Sequence, residues 1–490
     1  MTCSESRAAS QADAGRSRRD VMLFGGVVVF AFLSRVPFLG AGYGNDPDAW
    51  GLAVAARHIA ASGEYVASRL PGYPVQEFVC SLLYRGGPIA LNTLTALLSA
   101  AAVGFFTCSV RRLGSGQYLW AGLALALTPV IFVNSTNSMD YVWALAFILA
   151  GHHCVLVRRP VFAGCLLGVA IGCRITSVGM ALPLCILLFG ASAASSRRRA
   201  VTEFLLATCL VATIACMPVA YRYGWGFLSF VEPPAYPSVL SVFSRATLRT
   251  WGCVGSLAIV GGLCLTALRV VVRGRAVGMS AAIFASNSRA SIMAAAVAVG
   301  VYILAYLRLP LEEGYLIPAV PFVIILLGRL MTRRMFKCVC LALCVSPLVC
   351  SVGRTASASP QTYSAHALHF RVAGQGLVLD MARGPILVSY AERLHGMAFV
   401  DRILERGGKL PRGSVIVVGF WQPQVLAKLT DPPPESPVFV HVINADQIDR
   451  FRSEGRAIYF LPEMAAYNQA VNGLDLDRAA ASSLDLYWGR

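Results

Sequence analysis

The chain has 490 residues, 56% hydrophobic and 14% charged, with a mean hydropathy of +0.63. A soluble domain carries about 25% charge, so an ordinary soluble enzyme is excluded. The net charge of +17 is lopsided: residues 1–350 hold 28 Lys/Arg against 12 Asp/Glu, and residues 351–490 hold 14 against 13. The excess lies in short segments between apolar runs, where basic residues orient membrane helices, and it calls for no nucleic-acid partner.

The first 20 residues are polar and rich in Ser, Ala and Arg, which predicts a disordered cytosolic N-terminus. No A-x-A-like cleavage site follows the first apolar run, so 21–39 reads as a retained helix. Eleven apolar spans are predicted, at 21–39, 88–108, 118–134, 140–157, 161–173, 177–193, 201–220, 251–270, 290–306, 315–331 and 337–350; the fifth and sixth are short. With the N-terminus inside, one side holds 19 basic residues and the other 9, and eight of the twelve acids fall on the outer side. This predicts a multi-pass membrane protein with residues 21–350 as its membrane domain; the membrane expected is a bacterial inner or plasma membrane. All fifteen cysteines lie at or before Cys350, mostly in apolar runs where a thiol is a small hydrophobe. The pair His152-His153 near the end of the fourth span reads as packing, not metal ligation.

The first outer loop, 40–87, is the most informative. Asp46-Pro-Asp48 precedes a helix with apolar residues at Trp50, Val54 and Ile59, predicted to lie amphipathically along the interface. Arg69-Leu-Pro-Gly-Tyr-Pro74 makes a rigid turn into a second apolar-faced helix, Val75 to Tyr84. Helix capping accounts for one of the two Asp residues; the other suits a general base. Between the ninth and tenth spans, Arg308, Glu312, Glu313 and Tyr315 gather at one membrane boundary, a set suited to a sugar or a phosphate. Arg174 sits between two short spans, where a charge is costly unless paired. It either pairs with an acid such as Asp140 or binds phosphate. Residues 351–490 change character, with β-branched runs at Pro385–Val388, Ser414–Gly419 and Val438–Val442 between helical stretches. They predict an extracytoplasmic α/β domain with a partly parallel sheet, interrupted by the Asp431–Pro434 loop and suited to a structural, docking or acceptor-binding role.

Across roughly 20–335 the sequence resembles the GT-C class of polytopic glycosyltransferases, which includes protein O-mannosyltransferases and aminoarabinose transferases. Asp46-Pro-Asp48 after the first span, the Trp50-to-Arg57 helix and Gly63-Glu-Tyr65 carry the likeness. So do the Pro71-Gly-Tyr-Pro74 turn and the Glu313-Gly-Tyr-Leu-Ile-Pro-Ala-Val-Pro321 segment. The chain departs from the class in having Asp-Pro-Asp for Asp-Glu, and Gly314 where an Arg is usual. The resemblance implies inverting transfer from a polyprenyl-phosphate sugar to a lipid, glycan or protein acceptor on the extracytoplasmic face. Asp46 or Asp48 would be the base; Arg69, Arg174 and Arg308 would bind the donor phosphate; Tyr73, Glu312, Glu313 and Tyr315 would bind substrate. It implies no cofactor for a monophosphate donor, with a divalent metal between Asp46 and Asp48 as a lesser alternative. A secondary transporter or lipid flippase is the competing reading, although no internal repeat is visible.

Overall fold

The computed structural model describes residues 21–191, 195–228, 236–273, 286–354, 362–372, 375–429, 436–479 and 481–488. The expected disordered stretch 1–20 and the Asp431–Pro434 loop lie outside the described residues. The protein is mainly helical. Among the described residues, six helical segments are long and apolar enough to cross a membrane: Val21–Phe38, Pro74–Arg112, Arg197–Leu228, Val239–Val272, Arg289–Arg308 and Glu313–Leu330. The other expected spans are also helical but shorter. Pro129 divides one of them: Thr128 is extended (ψ 127°) between Tyr118–Leu127 and Pro129–Asn134. Proline disfavours helical geometry in the residue before it and restarts a helix well at its own position.

Small residues set the closest helix packing. Gly164, Gly168 and Gly172 form a stripe on helix Pro160–Cys173 against helix Arg197–Tyr223. A Cβ at Gly168 would come within 2.6 Å of Val211 Cβ, and one at Gly172 within 2.6 Å of Ala215 Cβ. Bare backbone on this stripe lets the helices approach where lipid supplies no hydrophobic drive for association.

The segment 40–87 forms the two expected helices, Pro47–Ser62 and Pro74–Leu83, the second at the start of the long apolar segment Pro74–Arg112. Asp46 caps the first: its side chain accepts from the Asp48 amide at 2.8 Å, with Pro47 at the first helical position. This helix is not simply laid on an interface. Leu52 and Ala56 pack with Cys80, Leu91 and Trp143 of the membrane helices, while Arg57 donates to the main-chain carbonyls of Leu426 (2.9 Å) and Leu429 (2.5 Å) on the opposite side. Leu426 belongs to helix Gln422–Lys428, which Leu429 caps, so a guanidinium sits at the negative end of a helix dipole.

All strands among the described residues lie beyond residue 350, in two sheets. One is antiparallel, in the order β1-β3-β2 (Ser351–Arg354, Gln375–Asp380, Leu368–Val372). The other is parallel, in the order β5-β4-β6-β7 (Val438–Val440, Val415–Val417, Ile458–Phe460, Ser482–Ser483). The runs at 414–419 and 438–442 thus form strands. The run Pro385–Val388 does not: it opens helix Pro385–Gly407, with Pro385 at its first turn. Ile386 and Val388 are both buried, on different sides of the helix, while Leu387 between them is exposed.

Helix Pro385–Gly407 fastens this region to the membrane helices. Arg393, 3% exposed, donates to the carbonyls of Thr136 (2.6 Å) and Phe38 (2.8 Å). Beside it, Asn45 donates to Glu392 at 2.7 Å.

Candidate active site

The elements converge on a cavity of about 380 Å³. The segment before helix Pro47–Ser62 contributes Asn45 and Asp46, and the loop before helix Asp140–Leu156 contributes Asn137. Glu312 and Glu313 come from the turn after the ninth predicted span, and Ser351, Ser389 and Glu392 from the C-terminal region. Both faces of the cavity are therefore built from distant parts of the chain.

Three carboxylates gather at the first-loop end. One oxygen from each of Asp46, Asp48 and Glu312 lies within 4.8 Å of the others. Burial, reinforced by the charges of Glu312 and Asp48, pushes the Asp46 carboxyl up to about 8. Burial likewise raises Glu312, whose Oε2 accepts from the Tyr141 hydroxyl. Asp48 is held differently, in an ion pair with Arg69. Three carboxylates at this spacing have the geometry to hold a divalent cation, but a proton on Asp46 relieves the same repulsion.

Asp140 lies at the root of the site. It is 3% exposed, and its Oδ1 pairs with Arg69 Nη2 at 3.0 Å while its Oδ2 pairs with Arg174. Arg69 also donates from Nε to the Tyr73 hydroxyl at 2.8 Å. The Arg174 guanidinium is stacked 4.1 Å from the Tyr141 ring centre and 5.1 Å from that of Tyr315. Of the two readings of Arg174, pairing with Asp140 is the one observed.

Glu77, fully buried, fixes the loop that carries Arg69. Its carboxylate accepts from the Ser68 amide and hydroxyl (both 2.7 Å), the Tyr65 hydroxyl (2.5 Å) and the Tyr73 amide (3.1 Å). The Leu70–Pro71 bond within this loop is cis.

The structure thus brings together Asp46, Asp48, Arg69, Tyr73, Arg174, Glu312 and Tyr315. Glu313 also lines the cavity, paired with Arg249 at 3.4 Å. Arg308 stands apart. It is exposed at the end of helix Ser286–Arg308 and does not line the cavity. The guanidinium on the cavity wall is Arg249, one helical segment away. Nothing local in the sequence links Arg249, or Glu392 at 346 positions downstream of Asp46, to the cavity that Asp46 lines. A run of acid followed directly by aromatic, Asp140-Tyr141, was the available signal for the hub.

No family model matches the sequence, and neither does any curated protein. Solved structures do. The chain is similar to ArnT from Cupriavidus metallidurans in the apo state, at 15% identity and a TM-score of 0.50, over 93% of this chain and 95% of that one. The same protein bound to undecaprenyl phosphate aligns at 15% identity and a TM-score of 0.48, over 95% and 90% of the two chains. At this identity the likeness to the apo structure shows the fold alone: the chain shares the ArnT fold over nearly its whole length.

Proposed function

We propose that the protein is a multi-pass membrane glycosyltransferase that moves a sugar from a polyprenyl-phosphate donor to an acceptor hydroxyl, with inversion, on the extracytoplasmic face. The eleven-span topology with a cytosolic N-terminus and residues 351–490 outside belongs to this reading, supported by the distribution of basic residues. The observation that carries it is the Asp46 carboxyl on the cavity wall, free of an ion pair and raised to about 8, beside an Asp48 already neutralised by Arg69. A carboxylate with raised basicity is suited to take a proton at near-neutral pH. The donor class rests on the order of the Asp46, Arg69–Pro74 and Glu313–Pro321 motifs together with the fold.

In this mechanism Asp46 takes the acceptor O–H proton as that oxygen bonds to the anomeric carbon. The bond from that carbon to the phosphate oxygen breaks, and polyprenyl phosphate leaves with the electron pair. Arg249 on the cavity wall stabilises the phosphate as charge develops there. Arg69 and Arg174, committed to Asp140, hold the acidic cluster in place and raise the local positive potential. No metal or cofactor is required.

Proteoliposomes supplied with a short-chain polyprenyl-phosphate sugar test the proposal. Release of free polyprenyl phosphate with glycosylated product supports it. Movement of the lipid between leaflets with no sugar transferred would favour a flippase instead.

A further inference from the structure

Arg35 lies near the end of the apolar segment Val21–Phe38 and is fully buried, yet no carboxylate pairs with it among the described residues. A charge in such a place is costly unless something compensates it. Here the compensation comes from neutral acceptors. Nε donates to the Ser135 hydroxyl at 3.0 Å, Nη1 to the Ser34 hydroxyl at 2.7 Å, and Nη2 to the Ala126 carbonyl. The guanidinium carbon stands 4.5 Å from the centre of the Phe132 ring.

Two of these acceptors end helices. Ala126 is in the last turn of helix Tyr118–Leu127, where carbonyls lack intrahelical donors. Ser135 is the carboxyl cap of helix Pro129–Asn134. One cation thus serves the negative ends of two successive helix dipoles, on either side of the extended residue Thr128. The planar fork of an arginine suits acceptors that lie in different directions, whereas a lysine presents all its donors from one atom.

Between the two anchors runs a wall of the cavity. Helix Pro129–Asn134 has six residues, too few to hold a direction by itself. Pro129, Val130, Val133 and Asn134 all line the cavity. Past the helix, Arg393 takes the Thr136 carbonyl, and Phe38 meets Phe132 edge-on at 5.9 Å. We propose that Arg35 is a positioning residue for substrate binding: it braces helix Pro129–Asn134 at both ends and so fixes the cavity wall, without touching substrate. The identity of that substrate rests on the transferase reading; the brace does not.

Hydrogen exchange read by mass spectrometry, with the full chain in detergent, tests the brace without turnover. The amides of Phe132, Ser135 and Thr136 donate to the carbonyls of Thr128, Ile131 and Val133. In Arg35→Gln they should exchange about tenfold faster, the ratio one hydrogen bond to a charged group supplies, while exchange in helix Arg197–Tyr223 stays as in the wild type. Transfer kinetics on the same variant separate positioning from mere stability. The KM of at least one substrate should rise about tenfold while kcat and the pH profile are kept, as when binding shared by ground and transition states is lost. A purely structural arginine would lower the yield of folded enzyme and leave KM alone. Ser135→Ala removes one arm of the brace and should shift both readings the same way by less; it carries the test if Arg35→Gln does not fold. Unchanged exchange at 132–136, exchange raised equally throughout the chain, or wild-type KM in the folded variants overturns the proposal. If the wild type transfers no sugar, the transferase reading falls and local exchange alone decides the brace.

Discussion

Asp140 Oδ1 lies 3.0 Å from Nη2 of Arg69, a residue 71 positions earlier in the chain. Its other oxygen holds Arg174, so one buried carboxylate joins the first outer loop to the break between two short helices. Removing it leaves buried Arg174 without its acid partner and Arg69 with Asp48 alone. Asp140→Asn should destabilise the fold by about 3 kcal/mol, in the range for one broken partner of a buried ion pair. Asp48→Asn, at a site 36% exposed, should cost much less. Thermal unfolding in detergent compares the two, and equal midpoints would count against the hub.

Asp46 predicts a distinctive pH dependence. Its carboxyl titrates near 8 when folded and near 3.8 when unfolded. Between these values the folded state binds the extra proton, so this group's contribution to stability falls as pH rises from about 4 to about 8. Asp46→Asn should flatten that slope. Transfer should rise with pH through the same upper limit. Glu312→Gln should move the rate profile to lower pH, and Asp48→Asn should move it less, because the charge of Glu312 contributes more to the shift. Rate profiles of the variants that coincide with the wild type would contradict this coupling.

Chelation separates the two ways of relieving carboxylate repulsion. Where a proton on resting Asp46 does this, EDTA should leave the rate of the ionised enzyme, measured above about pH 8, unchanged. Loss of activity that Mg²⁺ or Mn²⁺ restores would instead assign a cation to Asp46, Asp48 and Glu312.

Arg249 and Arg308 make a paired comparison. Arg249→Ala should raise the donor KM and lower kcat, since it removes the cavity's guanidinium. Arg308→Ala should leave both unchanged, as expected for an exposed side chain outside the cavity. Steady-state kinetics against donor concentration reads both.

Much of this was legible in the sequence. The Asp46 cap, the turn Arg69–Pro74 and the helix after it follow from local rules that Pro, Asp and apolar spacing impose. Charge asymmetry and apolar runs suffice for the membrane class. The sequence could not order the residues brought together by tertiary packing. Arg308 and Arg249 are both boundary arginines, and only the packing of the helices decides that Arg249 meets Glu313. Pro385–Val388 reads as a strand because β-branched residues suit one, but Pro385 is a good first helical residue, and tertiary packing buries Ile386 and Val388 on different sides of the helix it opens.

The most direct test of the catalytic assignment is sugar transfer by Asp46→Asn and Asp48→Asn, each checked for an unchanged folded state. Loss of a positioned general base costs on the order of a hundredfold to ten-thousandfold in rate. Asp46→Asn should fall by that much while Asp48→Asn keeps most of its activity. Full transfer by folded Asp46→Asn would contradict the account.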